Sequence, residues 1–203
     1  MNSRILIIAL FILSVTAIDA QIYGVKGGFN ASNFYSDEVD DKNARYGFHA
    51  GFFSQWELNE GLGIQAELLY SGKGNSSTFS SGSLNQEVDF NMHYIDLPVM
   101  AVIKLGDAAE IHGGVYGGYL VGTDITSDGD LGEFSESVDK DNYNSFDWGF
   151  LAGLGVNIGE NFQVGARYNL GMAKIADSDG ARLFLGDAKN SYGQIYGAFR
   201  FGN

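Results

Sequence analysis

From Ile22 to the end of the chain, apolar residues recur at every second position, the period of a strand with two unlike faces. Eight such runs are evident, over residues 22–31, 45–58, 62–73, 91–105, 111–122, 145–158, 162–171 and 192–201. In the second run Tyr46, Phe48, Ala50, Phe52 and Trp56 oppose His49, Gly51, Gln55 and Glu57. In the seventh, Phe162, Val164, Ala166, Tyr168 and Leu170 oppose Gln163, Gly165, Arg167 and Asn169. Glycine, at 29 residues, and an aromatic share of 14% strengthen the strand reading, and the single Pro leaves the runs almost unbroken.

The connections alternate in length. Tight turns at residues 59–61, 106–110 and 159–161 follow the second, fourth and sixth runs. Long polar segments at 32–44, 74–90, 123–144 and 172–191 follow the first, third, fifth and seventh. This is the pattern of an all-β, eight-stranded antiparallel up-and-down transmembrane β-barrel, with short periplasmic turns and long extracellular loops. It predicts one barrel domain over residues 21–203, with no second domain.

Residues 1–20 read differently. Arg4 gives a short positive start, and an almost unbroken apolar run follows to Val15. That run has signal-peptide length, too short to span a bilayer as a helix, and Ala20 supplies a small residue before a cut at Gln21. Residues 1–20 are therefore expected to be a signal peptide and the protein to be exported. Loss of this segment removes Arg4 and Asp19, so the net charge stays at −13. Such an acidic chain is a poor partner for nucleic acid. The absence of Cys excludes disulfides, thiolate catalysis and Cys-ligated zinc.

Alternation alone leaves two orientations open, because a soluble barrel buries its apolar face and a membrane barrel shows it to lipid. Volume separates them. An eight-stranded barrel has an interior only wide enough to be filled by side chains. The apolar face carries Trp56, Trp148, Phe52, Phe150 and Phe199, and the opposite face is rich in Gly. The bulky face is therefore expected to meet outer-membrane lipid, with a secreted soluble ligand-binding barrel as an alternative. The polar face carries Lys26, Lys104, Arg167 and Arg200 together with Glu57, Glu67, Asp96 and Asp147. Buried charges persist only when paired, so these eight are expected to form an interior network that fills the lumen.

Several segments in order resemble a known family. They are Gly24-Val25-Lys26-Gly27-Gly28-Phe29-Asn30, Ala66-Glu67-Leu68-Leu69-Tyr70-Ser71-Gly72-Lys73-Gly74, Tyr94-Ile95-Asp96-Leu97-Pro98-Val99, Ala166-Arg167-Tyr168-Asn169-Leu170-Gly171 and the closing Phe199-Arg200-Phe201. Together the set resembles the PorT-like outer-membrane β-barrel family of the Bacteroidetes. The resemblance implies an outer-membrane location, and the namesake of that family takes part in protein secretion. The chain departs from the pattern by ending Phe201-Gly202-Asn203 rather than on an aromatic residue.

Candidate chemistry is sparse. His49, Ser71 and Asp96 point inward near the loop-side ends of neighbouring strands, a set from which a lipid-acting acyl hydrolase using His49 and Ser71 would draw its base and nucleophile. A polar interior network accounts for the same residues, and the expectation is a non-enzymatic protein with no cofactor. Asp124, Asp128, Asp130, Glu133, Glu136, Asp139 and Asp141 crowd the third long segment, and Asp37, Glu38, Asp40 and Asp41 the first. Their spacing fits no EF-hand, so no metal site is expected. They give the outer mouth a negative potential suited to partners among envelope or secretion proteins, with Tyr35, Phe134 and Tyr143 available as anchors.

Overall fold

The structure, a computed structural model, describes residues 21–35, 44–81, 84–130, 132, 134–137, 143–176 and 188–201. The elements are β1 (Gln21–Tyr35), β2 (Arg45–Asn59), β3 (Leu62–Ser81), β4 (Leu84–Leu105), β5 (Ala109–Gly129), β6 (Phe134–Ser137), β7 (Phe146–Ile158), β8 (Phe162–Lys174) and β9 (Lys189–Arg200). All neighbours are antiparallel. β1 pairs with both β2 and β9, and β4 with both β3 and β5, so β1–β5 and β7–β9 close into a ring of eight. Closure pairs the backbone groups around the wall and removes the free edges that hydrocarbon cannot tolerate.

The bulky face points outward. Phe29, Phe52, Leu154 and Ile195 are each about three-fifths exposed or more, at 66%, 67%, 59% and 63%, and form a band with Tyr119, Phe146, Phe150 and Tyr168. A soluble ligand-binding barrel would hide this surface, so that alternative is set aside. Short turns and both ends of the ring lie at one mouth, where Gly24 faces Arg200, and the long connections at the other.

Two expectations need correction. Residues 74–90 and 123–144 are not simply loops. β3 and β4 continue as a hairpin to Ser81 and Leu84, and β5 runs to Gly129, where β6 is added on its edge. The apolar alternation stops there because the extension is held by backbone pairing and by polar side chains, Ser76 donating to Glu87 and Gln86 to Ser127, rather than by an apolar face. Likewise Glu110, read from the sequence as the end of a turn, is the second residue of β5 and is buried.

The interior is less polar than the sequence implies. Phe53, Leu69, Met92, Tyr94, Met100, Val102, Tyr116, Leu120, Leu151, Tyr192 and Tyr196 are all buried inside. Glycine opposite these side chains provides the room: a Cβ on Gly165 would lie 2.3 Å from the Tyr196 ring and 2.6 Å from the Leu154 carbonyl.

Candidate functional site

The inward positions of the strands build three charged layers along the barrel axis. At the short-turn mouth, Glu110 of β5 accepts hydrogen bonds from Arg200 Nη2 at 3.0 Å and Gln163 Nε2 at 2.9 Å, with His112 Nε2 at 3.3 Å.

The second layer centres on Glu67 of β3. Arg167 of β8 donates through Nη1 and Nη2, both at 2.8 Å, and Lys26 of β1 and Gln65 each donate at 2.5 Å. Lys26 Nζ also stands 4.0 Å from the centre of the Tyr196 ring. A bidentate guanidinium–carboxylate pair combines two charge-assisted hydrogen bonds and is stronger and more directional than a single contact.

The third layer centres on Lys73 of β3. Its Nζ lies 2.9 Å from Asp96 Oδ1 of β4 and 3.5 Å from Asp147 Oδ2 of β7. Three tyrosine rings surround it, with centres 4.5 Å away for Tyr94, 4.9 Å for Tyr116 and 4.5 Å for Tyr192. Asp147 Oδ2 also accepts from Tyr116 Oη at 3.2 Å and Asn190 Nδ2 at 3.0 Å. The middle layer holds an excess of one positive charge and this layer an excess of one negative charge, so the two offset each other across the lumen.

Of the eight charges expected in the network, Lys26, Glu67, Asp96, Asp147 and Arg167 are fully inside, and Arg200 is largely buried on Glu110. Glu57 and Lys104 instead pair with each other at the short-turn rim, where their side chains are 30% and 22% exposed. Their strands end within two residues, so the long side chains reach water. Lys73 and Glu110 take the corresponding interior places. The alternation around Glu67, Ser71 and Lys73 was the signal that could have found the first. The phase of His112 and Gly114, carried back two residues, could have found the second.

His49 and Ser71 are direct cross-strand neighbours, yet their side chains are engaged elsewhere or not at all. His49 Nδ1 lies 2.7 Å from Asn30 Oδ1, which also accepts from Gln194 Nε2 at 3.0 Å. The Ser71 hydroxyl is buried with no hydrogen-bond partner among the described residues, and Asp96 is held by Lys73. The three groups do not form the relay that acyl transfer requires.

Outside the barrel, just beyond the apolar band, His93 Nε2 lies 2.7 Å from Asp124 Oδ1 and its Nδ1 2.7 Å from Tyr70 Oη. Partial burial alone would raise the Asp124 carboxyl. Hydrogen bonds from Asn91 and His93, with the positive field of His93 and Arg45, outweigh it and hold the group below the usual carboxylate range. Further out, Glu87, Asp128, Asp130 and Glu136 are exposed on the extended sheet. Asp37, Glu38, Asp40, Asp41, Glu133, Asp139 and Asp141 lie outside the described residues. No group of three His, Asp or Glu side chains among the described residues is arranged to hold a metal ion.

Comparison with known proteins bears on this architecture. The family described as outer membrane protein beta-barrel domain matches residues 20–177. Among solved structures, the chain is similar to Ail, the attachment invasion locus protein of Yersinia pestis, in complex with the heparin analogue sucrose octasulfate. The identity is 18%, covering 89% of this chain and 99% of that one, with a TM-score of 0.52. It is also similar to Neisserial surface protein A, at 14% identity over 88% of this chain and 97% of that one, again with a TM-score of 0.52. No curated protein sequence matches the chain.

Proposed function

Because the chain belongs to the outer membrane protein beta-barrel domain family and resides in the outer membrane, we propose that it is an envelope interaction protein that presents its extended outer sheet to a basic partner. The observation that carries this reading is the rise of β3, β4, β5 and β6 beyond the apolar band, bearing exposed Glu87, Asp128, Asp130 and Glu136. An acidic surface lifted clear of the lipid steers positively charged segments toward it and repels polyanions. The sulfated heparin analogue in the Ail structure carries the same sign as this acidic sheet, which argues for a ligand class of the opposite, basic sign here.

The family segments around Lys26, Glu67, Asp96 and Arg167 support a closer kinship with the PorT-like group, and with it a part as an accessory of protein secretion. Residues 1–20 act as the export signal in this reading. The barrel body is the rigid, side-chain-filled support, with outer-membrane lipid as its surroundings and no catalytic role.

The test is affinity capture from native outer membranes with the folded protein and with a variant carrying Asp128→Asn, Asp130→Asn and Glu136→Gln. Copurification of secretion-machinery proteins that the variant loses, and that rising salt weakens, is the expected result. Equal capture by both forms overturns the acidic-sheet reading.

A further inference from the structure

The layer around Lys73 holds more than an ion pair. An amine and a carboxyl, 2.9 Å apart, lie side by side on neighbouring strands, with the side chains 0% and 2% exposed. A second carboxylate, Asp147, approaches the same nitrogen from β7 at 3.5 Å. Rings of Tyr94, Tyr116 and Tyr192 form the walls. Asp147 Oδ2 is fixed by Tyr116 and Asn190, while its Oδ1 is buried with no hydrogen-bond partner among the described residues.

From this arrangement we infer that Lys73 and Asp96 are the two halves of an intramolecular amide cross-link between β3 and β4, with Asp147 as the proton carrier. The step balances without any outside reagent. One proton passes from the Lys73 ammonium to the Asp96 carboxylate, giving a neutral amine and a neutral acid. The freed Nζ lone pair attacks Cγ of Asp96, and as the C–N bond forms Asp147 takes a second proton from the nitrogen. The tetrahedral centre collapses with cleavage of one C–O bond, and that hydroxyl leaves as water with the proton that Asp147 carried. Ammonium plus carboxylate become amide plus water, and Asp147 returns to its starting state.

Three physical features favour the reaction here over an exposed pair. The buried layer, with both side chains shut off from solvent, keeps bulk water away from the pair and from the amide it would form. A fixed geometry supplies an effective concentration that reaches about 10⁵–10⁸ M in well-oriented intramolecular cases. The second acid provides general acid–base help at the reacting atoms. The other buried lysine makes the contrast. Lys26 is also on a carboxylate, Glu67, but that carboxylate is occupied by the Arg167 guanidinium, and no second carboxylate lies within ion-pair reach of Lys26 among the described residues.

Digestion with trypsin and mass measurement, on protein purified folded from outer membranes and then denatured, reads the bond directly. An amide at Lys73 blocks cleavage there. Residues 46–104, which contain no other Lys or Arg before Lys104, then appear as one fragment lighter than its sequence mass by one water. Separate fragments 46–73 and 74–104 at full mass overturn the proposal, and this measurement needs the wild-type chain alone. Asp147→Asn, scored only on the membrane-inserted fraction, is expected to restore cleavage at Lys73. A cross-link that persists in that variant removes Asp147 from its role.

Discussion

Arg167 reaches across the lumen from β8 to grip both oxygens of Glu67 on β3, with two parallel hydrogen bonds of 2.8 Å. These residues are 100 positions apart in the chain and belong to strands that are not neighbours in the sheet. The pair therefore ties opposite walls together, and Lys26 adds a third strand to the same knot.

Removing the shared anion leaves two buried cations facing each other. Glu67→Gln is expected to cost about 3–5 kcal/mol, the range for breaking a buried pair on one side. Glu57→Gln at the rim, where the partner Lys104 reaches water, is expected to cost no more than about 1 kcal/mol. Urea unfolding in lipid vesicles, followed by tryptophan fluorescence, compares the two.

The outward band makes a second prediction. Leu154, near the middle of β7, is 59% exposed on the lipid side, so Leu154→Arg is expected to cost about 2–4 kcal/mol in vesicles. Without detergent or lipid, the wild-type protein is expected to aggregate. A soluble, monodisperse wild-type protein in plain buffer contradicts the orientation.

Glycine packing can be tested by paired substitutions. Gly165→Ala drives a methyl group into the Tyr196 ring, itself pinned by Lys26, and into the Leu154 carbonyl. Overpacking of this kind costs about 1–3 kcal/mol. On the outer face of β5, a Cβ on Gly113 meets nothing within 4 Å, and Gly113→Ala is expected to be nearly neutral.

The outer clasp has a pH signature. Asp124 sits below the ordinary carboxylate range in the folded protein because Asn91, His93 and Arg45 favour its charged form. A depressed folded value means its stabilisation is complete above the unfolded value and disappears as pH falls through the folded one. The β4–β5 extension is therefore expected to hold from neutral pH down to the ordinary carboxylate range and to loosen below it. Hydrogen exchange of amides near Asp124 and Asn91 measures this, and Asp124→Asn is expected to flatten the dependence.

A lumen filled by three charged layers and buried tyrosines is expected to carry no large steady current. Planar-bilayer recordings of the folded protein check this, and a stable, large conductance contradicts it.

The sequence by itself determined the ring. Alternation of Phe48, Phe52 and Trp56 with His49, Gly51 and Gln55 requires a strand with two unlike faces, and the alternation of short and long connections requires neighbours that run antiparallel. Which face is lipid-facing also followed, because eight strands leave too little volume for those rings inside. Partner choice within the lumen did not follow. A period of two says that Lys73 and Glu110 point inward, but the length and flexibility of their side chains decide only in three dimensions whether they reach Asp96 and Arg200 or the rim, as Lys104 does. The outer sheet was equally hidden, since backbone pairing and polar contacts such as Ser76 on Glu87 and Gln86 on Ser127 hold its strands together, and neither leaves a hydrophobic trace in the order of the residues.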